Sequence, residues 1–336
     1  MMNNNADALQ ARLNQLAEEI SGKKKEPTVD EIKRAEAYAH DFWDTMRTGM
    51  PNASMNIGSK GSGAFTVPDT FSDTLVQKLA EENILRKISR VITSNSKKTI
   101  PLVLSNGSAS WVDETDSYAD GEVEFGQAQI DLHKLGTIIR LSDEMLEDSG
   151  FDLEKYIGDV FAERIGTAEE QAFFTGDGIA KPIGLIHQAP VGVVTEEAGK
   201  ISLDDIIDLI YSVGQQYRSH EKSVFVLSNG AYQQLRKIQN LEGKRIWEKN
   251  LRDGEPYTLF GYRVFVSNCL PDPEPGNITA FFGDFNWFWI AERGKRIIKR
   301  LEERFAESGQ VAFITSERVD GVLVLPDAVK SLKIAE

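Results

Sequence analysis

Four histidines, one cysteine and a scatter of carboxylates are the residues of this chain that could do chemistry, and their spacing builds none of the usual constellations. His40, His133, His187 and His220 lie far apart, without the spacing of a metal site. His220-Glu221 begins like a zinc-protease helix, but no second histidine follows on the same helix turn. Gly199-Lys200 would close a phosphate loop only with Ser or Thr next and Gly before; Ile201 and Val194 stand there. Asp116-Ser117-Tyr118-Ala119-Asp120-Gly121 departs from a calcium loop at Tyr118, and Gln127 holds the place of the bidentate Glu. Gly61-Ser62-Gly63 has no strand feeding it and no marked base, so it is no nucleophile elbow. Thr175-Gly176-Asp177-Gly178 follows a helix C-terminus, where the dipole disfavours an anion. Cys269 has no evident base and reads as a small buried apolar residue. The expectation is a chain that is not an enzyme, with no catalytic or metal-binding residues and no cofactor.

The elements around these residues are organised by one stretch, 142–185. Ser142 can cap a short helix that Ser149-Gly150 stops. Asp152 then opens a second helix with Leu153, Ile157, Val160, Phe161, Ile165, Ala168 and Ala172 on one apolar stripe. Glu154, Asp159, Glu163, Glu169 and Glu170 occupy the opposite face, which is expected to meet water or a polar partner. At 1.5 Å per residue such a helix is roughly 33 Å long, enough to span a domain.

With 336 residues the chain exceeds one ordinary core, and two globular parts are expected. Apolar content of 41% and charged content of 27% are those of a soluble globular protein. A net charge of −14 argues against a general nucleic-acid-binding surface. A single cysteine excludes an internal disulfide framework and fits a reducing compartment. No run approaches the roughly 20 apolar residues of a membrane span, and the N-terminus lacks a signal-peptide core. A soluble protein made inside the cell, without membrane partners, is the expectation.

Residues 6–20 place Leu9, Leu13, Leu16 and Ile20 on a narrow helical seam. A capping box at Thr28-Val29-Asp30-Glu31 opens a second helix with Ile32, Ala35, Ala39, Phe42, Trp43 and Met46 on one face. These two helices either pack on the main body or offer their seams to a partner or to copies of themselves, as a short scaffold-like pair. From Thr48 to Gly63 a Gly-, Ser- and Asn-rich linker or arm follows. Thr99–Leu104 and Ile130–Leu141 read as strands, with Gly136 shifting the phase as a bulge would. The α/β part that follows the long helix has strands at 223–228, 261–266 and 279–282 and helices from 202 and 229, and final strands are expected at 310–318 and 322–325.

Between the first two strands lies an acidic excursion with no Lys or Arg, reaching some 45–50 Å if folded on itself at about 3.3 Å per residue. A two-stranded ribbon alone is marginal in water, so it is expected to lie on a second copy of the chain. Its candidate interface residues are Trp111, Tyr118 and Phe125 as apolar anchors, with Asp113, Glu114, Asp120 and Glu122 as charges. The densest cationic run, Arg293, Lys295, Arg296, Lys299 and Arg300, is the matching surface expected on the neighbour. The plainer alternative is that both are solvated faces.

Several stretches, in order, resemble the major capsid proteins of tailed bacteriophages with the Hong Kong 97-type fold, over about Gly63 to Ile334. They are Gly63-Ala64-Phe65-Thr66-Val67-Pro68, Leu141-Ser142-Asp143-Glu144-Met145-Leu146-Glu147-Asp148-Ser149, Phe173-Phe174-Thr175-Gly176-Asp177-Gly178 and Lys181-Pro182-Ile183-Gly184-Leu185. Later come Leu259-Phe260-Gly261-Tyr262-Arg263-Val264, Gly283-Asp284-Phe285, Gly309-Gln310-Val311-Ala312-Phe313, Arg318-Val319-Asp320-Gly321 and Pro326-Asp327-Ala328. The resemblance implies an α+β fold: an N-terminal helical extension and arm (1–62), a peripheral domain (63–97, 130–178 and 295–321), an E-loop hairpin (98–129) and an axial α/β domain (179–294 and 322–336). It implies a head-shell subunit that self-assembles as hexamers and pentamers around double-stranded DNA, without sequence-specific binding. The protein would be made in the bacterial host cytoplasm and end in the virion, with portal, scaffold and decoration proteins as further partners. Between Ser105 and Gln129 the E-loop has no lysine, so the Lys–Asn crosslinking of the founding member has no lysine to use in that stretch. An encapsulin-type nanocompartment shell shares the fold and stands as the alternative.

Overall fold

The computed structural model describes residues 29–50, 64–94, 98–105, 124–148, 150–218, 222–238, 258–293 and 296–336. In chain order the elements are α1 (Val29–Thr48), β1 (Ala64–Thr66), α2 (Asp69–Glu82), α3 (Ile84–Ile88), β2 (Arg90–Thr93), β3 (Lys98–Ser105), β4 (Glu124–Ile130), β5 (His133–Ser142), α4 (Asp143–Glu147), α5 (Leu153–Thr175) and α6 (Leu185–Gln188). They continue as β6 (Val191–Val194), α7 (Leu203–Ser212), β7 (Ser223–Ser228), α8 (Asn229–Lys237), β8 (Thr258–Leu259), β9 (Tyr262–Ser267), β10 (Ile278–Asp284), β11 (Phe288–Glu292), β12 (Ile297–Leu301), β13 (Gln310–Leu323) and β14 (Val329–Lys333).

The stretch at 142–185 folds as its caps dictate. The Ser142 hydroxyl accepts from Met145 N and starts α4. The Asp152 carboxylate accepts from Lys155 N and starts α5, where a negative group also suits the helix dipole. Leu153, Ile157, Phe161 and Ile165 bury the expected stripe against α2 and the first sheet. The opposite face does not stay in water along its whole length. Glu169 and Glu170 are buried, because α3 and the end of β9 lie over the second half of the helix.

The first sheet is built on β13. One edge pairs antiparallel with β5, from Gln310↔Ser142 to Val319↔His133. The other edge takes β12 along Ala312–Ser316 and then β11 along Val319–Leu323, both antiparallel. Two short strands, β1 against β12 and β2 parallel to β11, finish it. Two sequence expectations change here. The final strands at 310–318 and 322–325 are one strand, because Asp320 and Gly321 pair with Ala291 and Ile290 instead of turning. Gly321 is small for a reason: a Cβ there would stand 2.7 Å from the Phe173 ring and 2.8 Å from that of Phe288. Nor does Gly136 bulge. It pairs in register with Ser316, and the phase change falls in the break between β4 and β5, so that Leu135, Ile139 and Leu141 share one side.

The second sheet has the order β6-β14-β10-β7-β9-β8 and mixes parallel and antiparallel pairs. Strand β7 is buried throughout, as an uninterrupted apolar run suggests, and its alternate residues serve two cores. Phe225 and Leu227 join Ile206, Leu209 and Leu235 under α7 and α8. Val224 and Val226 face a junction core with Leu85, Phe173, Phe174, Phe285, Phe288 and Leu323. The two sheets are thus joined through shared apolar packing at the C-terminal end of α5.

Helix α1 is part of the first core. Phe42 and Met46 are fully buried among Phe71, Leu75, Phe161 and Phe313. The Trp43 ring lies edge-on to both Phe42 (5.0 Å) and Phe71 (4.9 Å). Arg47 donates to the carbonyls of Leu146 (3.3 Å), Asp148 (2.8 Å) and Phe151 (2.5 Å), tying the end of α1 to the α4–α5 turn. Of the two readings of the N-terminal helices, packing on the body holds for this one; residues 6–20 lie outside the described residues. Phe42→Ala should therefore lower the unfolding free energy by about 3–5 kcal/mol, as large aromatic truncations in cores do. Urea unfolding would read this as a lower midpoint, and a change below about 1 kcal/mol would remove α1 from the core.

Candidate functional site

The ribbon is β3 paired antiparallel with β4, from Lys98↔Ile130 to Val103↔Phe125, with a register shift before Ser105↔Glu124. Among the described residues no third strand joins it. Phe125 lies on β4; Trp111, Asp113, Glu114, Tyr118, Asp120 and Glu122 fall at positions outside the described residues.

The root of the ribbon is fixed by a carboxylate on β13. Asp320 Oδ2 accepts from Asp131 N at 2.7 Å, and Oδ1 accepts from Gly321 N at 2.9 Å. Burial raises the Asp320 carboxyl to about 6, and these two N–H donors oppose the shift. Ala128 and Ile130 are buried beside it. In the sequence Asp320 stands only within the stretch Arg318-Val319-Asp320-Gly321 and is not marked as a site residue. The available signal was a carboxylate inside an otherwise apolar strand, which must find buried donors.

The cationic run does not form one surface. Arg293 and Lys299 are exposed. Arg300 turns to Glu302 of its own chain, at 2.5 Å. Arg296 is interior: its Nε donates to Glu317 Oε2 at 2.8 Å and its Nη2 to Glu292 Oε2 at 3.2 Å. Arg296 is thus corrected from an interface residue to a structural one, since both of its carboxylate partners come from the same subunit.

Those partners belong to a larger buried cluster. Arg86 on α3 grips Glu169 on α5 with two bonds, Nε to Oε2 at 2.7 Å and Nη2 to Oε1 at 2.8 Å, and reaches Glu292 Oε2 at 3.2 Å. Five side chains from α3, α5, β11, β13 and the residue before β12 therefore run as one chain of ion pairs: Glu169, Arg86, Glu292, Arg296, Glu317. Burial opposes the charge on Arg86, but Glu169 and then Glu317 and Glu292 outweigh it, so the guanidinium is held firmly protonated. Burial, with the charge of Glu317, pushes Glu169 up to about 8. Burial also opposes ionisation of Glu317, yet the hydrogen bond from Glu169 and the charges of Arg296 and Arg86 hold it below the usual carboxylate range. Next to the cluster, Glu170 accepts from Ile84 N at 3.1 Å and from the Ser267 hydroxyl; burial raises its carboxyl.

No group of His, Cys, Asp and Glu that could hold a metal occurs among the described residues, and none of the helices searched is long and apolar enough to cross a membrane. What the arrangement can do is mechanical. It presents a ribbon from a root that is clamped, on a body whose helix and sheet are locked by buried charge.

Removing one member of such a network leaves the others unpaired. Arg296→Glu should cost about 3–5 kcal/mol of stability. Lys299→Glu, three residues on but exposed, should stay within about 0.5 kcal/mol. Chemical denaturation of the two variants checks this, and equal losses would contradict the separation of the run into interior and surface.

Residues 63–334 match the model of the phage capsid family. Over 238 residues the chain is 23% identical to a major capsid protein of Halomonas phage phiHAP-1, covering 69% of this chain and 37% of that protein. It is 26% identical over 217 residues to the major capsid protein of Escherichia phage T5, covering 60% of this chain and 47% of that one. The chain thus spans less than half the length of the curated relatives it matches. Among solved structures, the capsid of a native GTA particle, computed with C5 symmetry, superposes with a TM-score of 0.66 at 29% identity, covering 75% of this chain and 90% of that chain. A structure of Gordonia phage Cozz shares the fold at 16% identity, with a TM-score of 0.57 over 76% of this chain and 87% of that one.

Proposed function

Since this chain belongs to the phage capsid family, we propose that it is a major capsid protein, the repeating subunit of an icosahedral head shell that encloses a tailed phage's or prophage's double-stranded DNA. The observation that carries the reading is the extent of the likeness to the GTA capsid subunit, 29% identity over 90% of that chain. In this reading the first sheet with α5 is the peripheral domain, the second sheet with α7 and α8 the axial domain, and the β3–β4 ribbon the E-loop. Copies of the chain meet as hexamers and pentamers, and portal, scaffold and decoration proteins are the partners of the finished virion. The ribbon suits contact with a neighbouring copy, because a two-stranded sheet gains stability only when a face or edge of it is covered. Each neighbour contact should bury more than about 1,000 Å², as lasting interfaces do. DNA is held by enclosure, which agrees with a net charge of −14.

The chain produced alone in bacteria should yield closed shells by sedimentation and electron microscopy. A small soluble oligomer under all conditions would overturn the reading. Replacing residues 107–122 by an Asn-Gly turn should leave circular dichroism and the thermal transition near wild type but abolish shells. Normal shells from that variant would remove the ribbon from assembly while leaving the capsid reading intact.

A further inference from the structure

The formal charges of the buried cluster do not sum to zero. Arg86 and Arg296 bring two positive charges against three negative ones from Glu169, Glu292 and Glu317. Among the described residues no other cation forms an ion pair with these carboxylates; Lys295, the residue before Arg296, lies outside them. Glu317 Oε1 is buried and receives no N–H or hydroxyl hydrogen bond, and the carboxyls of Glu169 and Glu317 act on each other across the cluster. Two carboxyl groups hydrogen-bond one another only when one of them keeps its proton, because two carboxylates offer acceptors alone.

We propose that a single proton shared between Glu169 and Glu317 locks the long helix α5 onto strand β13, and that its loss loosens this joint. The proton makes the cluster neutral and supplies the donor that Glu317 Oε1 otherwise lacks. It resides mainly on Glu169, because both carboxyls are buried and Glu317 is held ionised by Arg296 and Arg86. The neighbours do not change this balance. On α5, Glu170 is bonded to Ile84 N and Ser267 instead. From the α2–α3 junction, Asn83 Nδ2 stands 3.5 Å from Glu169 Oε2 as a neutral donor, while Glu82 and Lys87 are exposed. Beyond the ends of β11 and along β13, Arg293 and Arg318 are exposed as well. Glu292 is bridged by both guanidiniums and completes the circuit.

The sign follows from where the proton is held. An ordinary glutamate releases it at 4.5 and the folded Glu169 at about 8. Between those values the folded chain binds the extra proton, so stability falls as pH rises through the window and levels off above it. The device concerns one chain and does not depend on what that chain assembles into.

Glu169→Gln removes the titrating group and offers an amide N–H to Glu317 and a carbonyl to one arm of the Arg86 fork, at the cost of the other arm; Glu317→Gln removes the surplus charge from the other side. Thermal melting of the full-length protein and both variants from pH 6 to pH 9.5 tests the proposal. The wild-type transition should fall against Glu169→Gln by roughly 2 °C per pH unit up to about pH 8, one proton's worth for a chain of this size. Glu317→Gln should start lower and stay parallel to Glu169→Gln. Infrared difference spectra between neutral and alkaline pH should contain a protonated-carboxyl C=O band that disappears on raising the pH and is missing from Glu169→Gln. Three curves falling in parallel would overturn the proposal, and so would a wild-type spectrum without that band, a reading that stands even where a variant does not fold.

Discussion

Strand β13 is the constraint on which the structure depends, because both of its edges are occupied along most of its length. One edge holds β5, and the other holds β12 and then β11. A strand in this position cannot slip by one residue without turning its apolar set away from the core. Its inward side chains include Val311, Phe313, Val319 and Leu323, which reach the first core and then the junction core in turn. The strand thereby sets the distance between two cores that lie far apart in sequence. The two polar devices of the molecule are fixed to the same strand. Glu317 and Asp320, an odd and an even residue, address opposite sides of the sheet, one toward α5 and one toward the root of the ribbon.

Buried charge is an expensive way to join a helix to a sheet, and its worth here is geometric. Apolar residues of similar volume in place of such a cluster often leave stability unchanged or raise it. Apolar contact alone, however, allows α5 to slide or roll on the sheet at small cost. The Arg86 fork, which takes both oxygens of Glu169, admits one rotation of α5. Arg296, held by Glu317 and Glu292 at once, fixes β11 and β13 relative to that fork. The junction core supplies adhesion, with Phe173, Phe174 and Phe288 packed together; the charges supply register. This division explains why Glu169 and Glu170 leave the water-facing pattern near the end of a helix that otherwise keeps it.

What could be read from the sequence was what local chemistry decides. The capped starts of α4 and α5, the buried β7 and the helix from Ser202 follow from side chains within a few residues, and the structure has them, down to the capping box of Ser202 and Asp205. The ribbon was legible as an excursion between two strands, although its strands run to 105 and from 124. Contacts between distant segments were not legible. Asp320-Gly321 reads as a turn until pairing with Ala291 and Ile290 of β11 holds it straight. Residues 293–300 read as one cationic face, yet a strand places neighbours on opposite sides, and two glutamates from elsewhere draw Arg296 inward. The apolar face of α1 was plain, but only the tertiary structure decides that Phe42 and Met46 meet their own body.

The ribbon gains its meaning from the contrast with the rest. Every other strand described belongs to a six-stranded sheet, and the helices bury their apolar faces in one of three cores of this chain. Among the described residues the β3–β4 pair is tied to the body at its root, where Ala128 and Ile130 are buried and Asp320 accepts from the backbone N–H of Asp131. A flexible root would make any contact of the ribbon costly, since the ordering entropy of both strands would be lost on meeting a partner. A root held to the best-anchored strand by the Asp320 carboxylate and by the packing of Ala128 and Ile130 has given up that entropy on folding. The direction in which the ribbon leaves the body is then set by β13, the same strand that sets the attitude of α5. Under the proposed function, folding of the single chain in this way sets the geometry of the ribbon before a second copy is met.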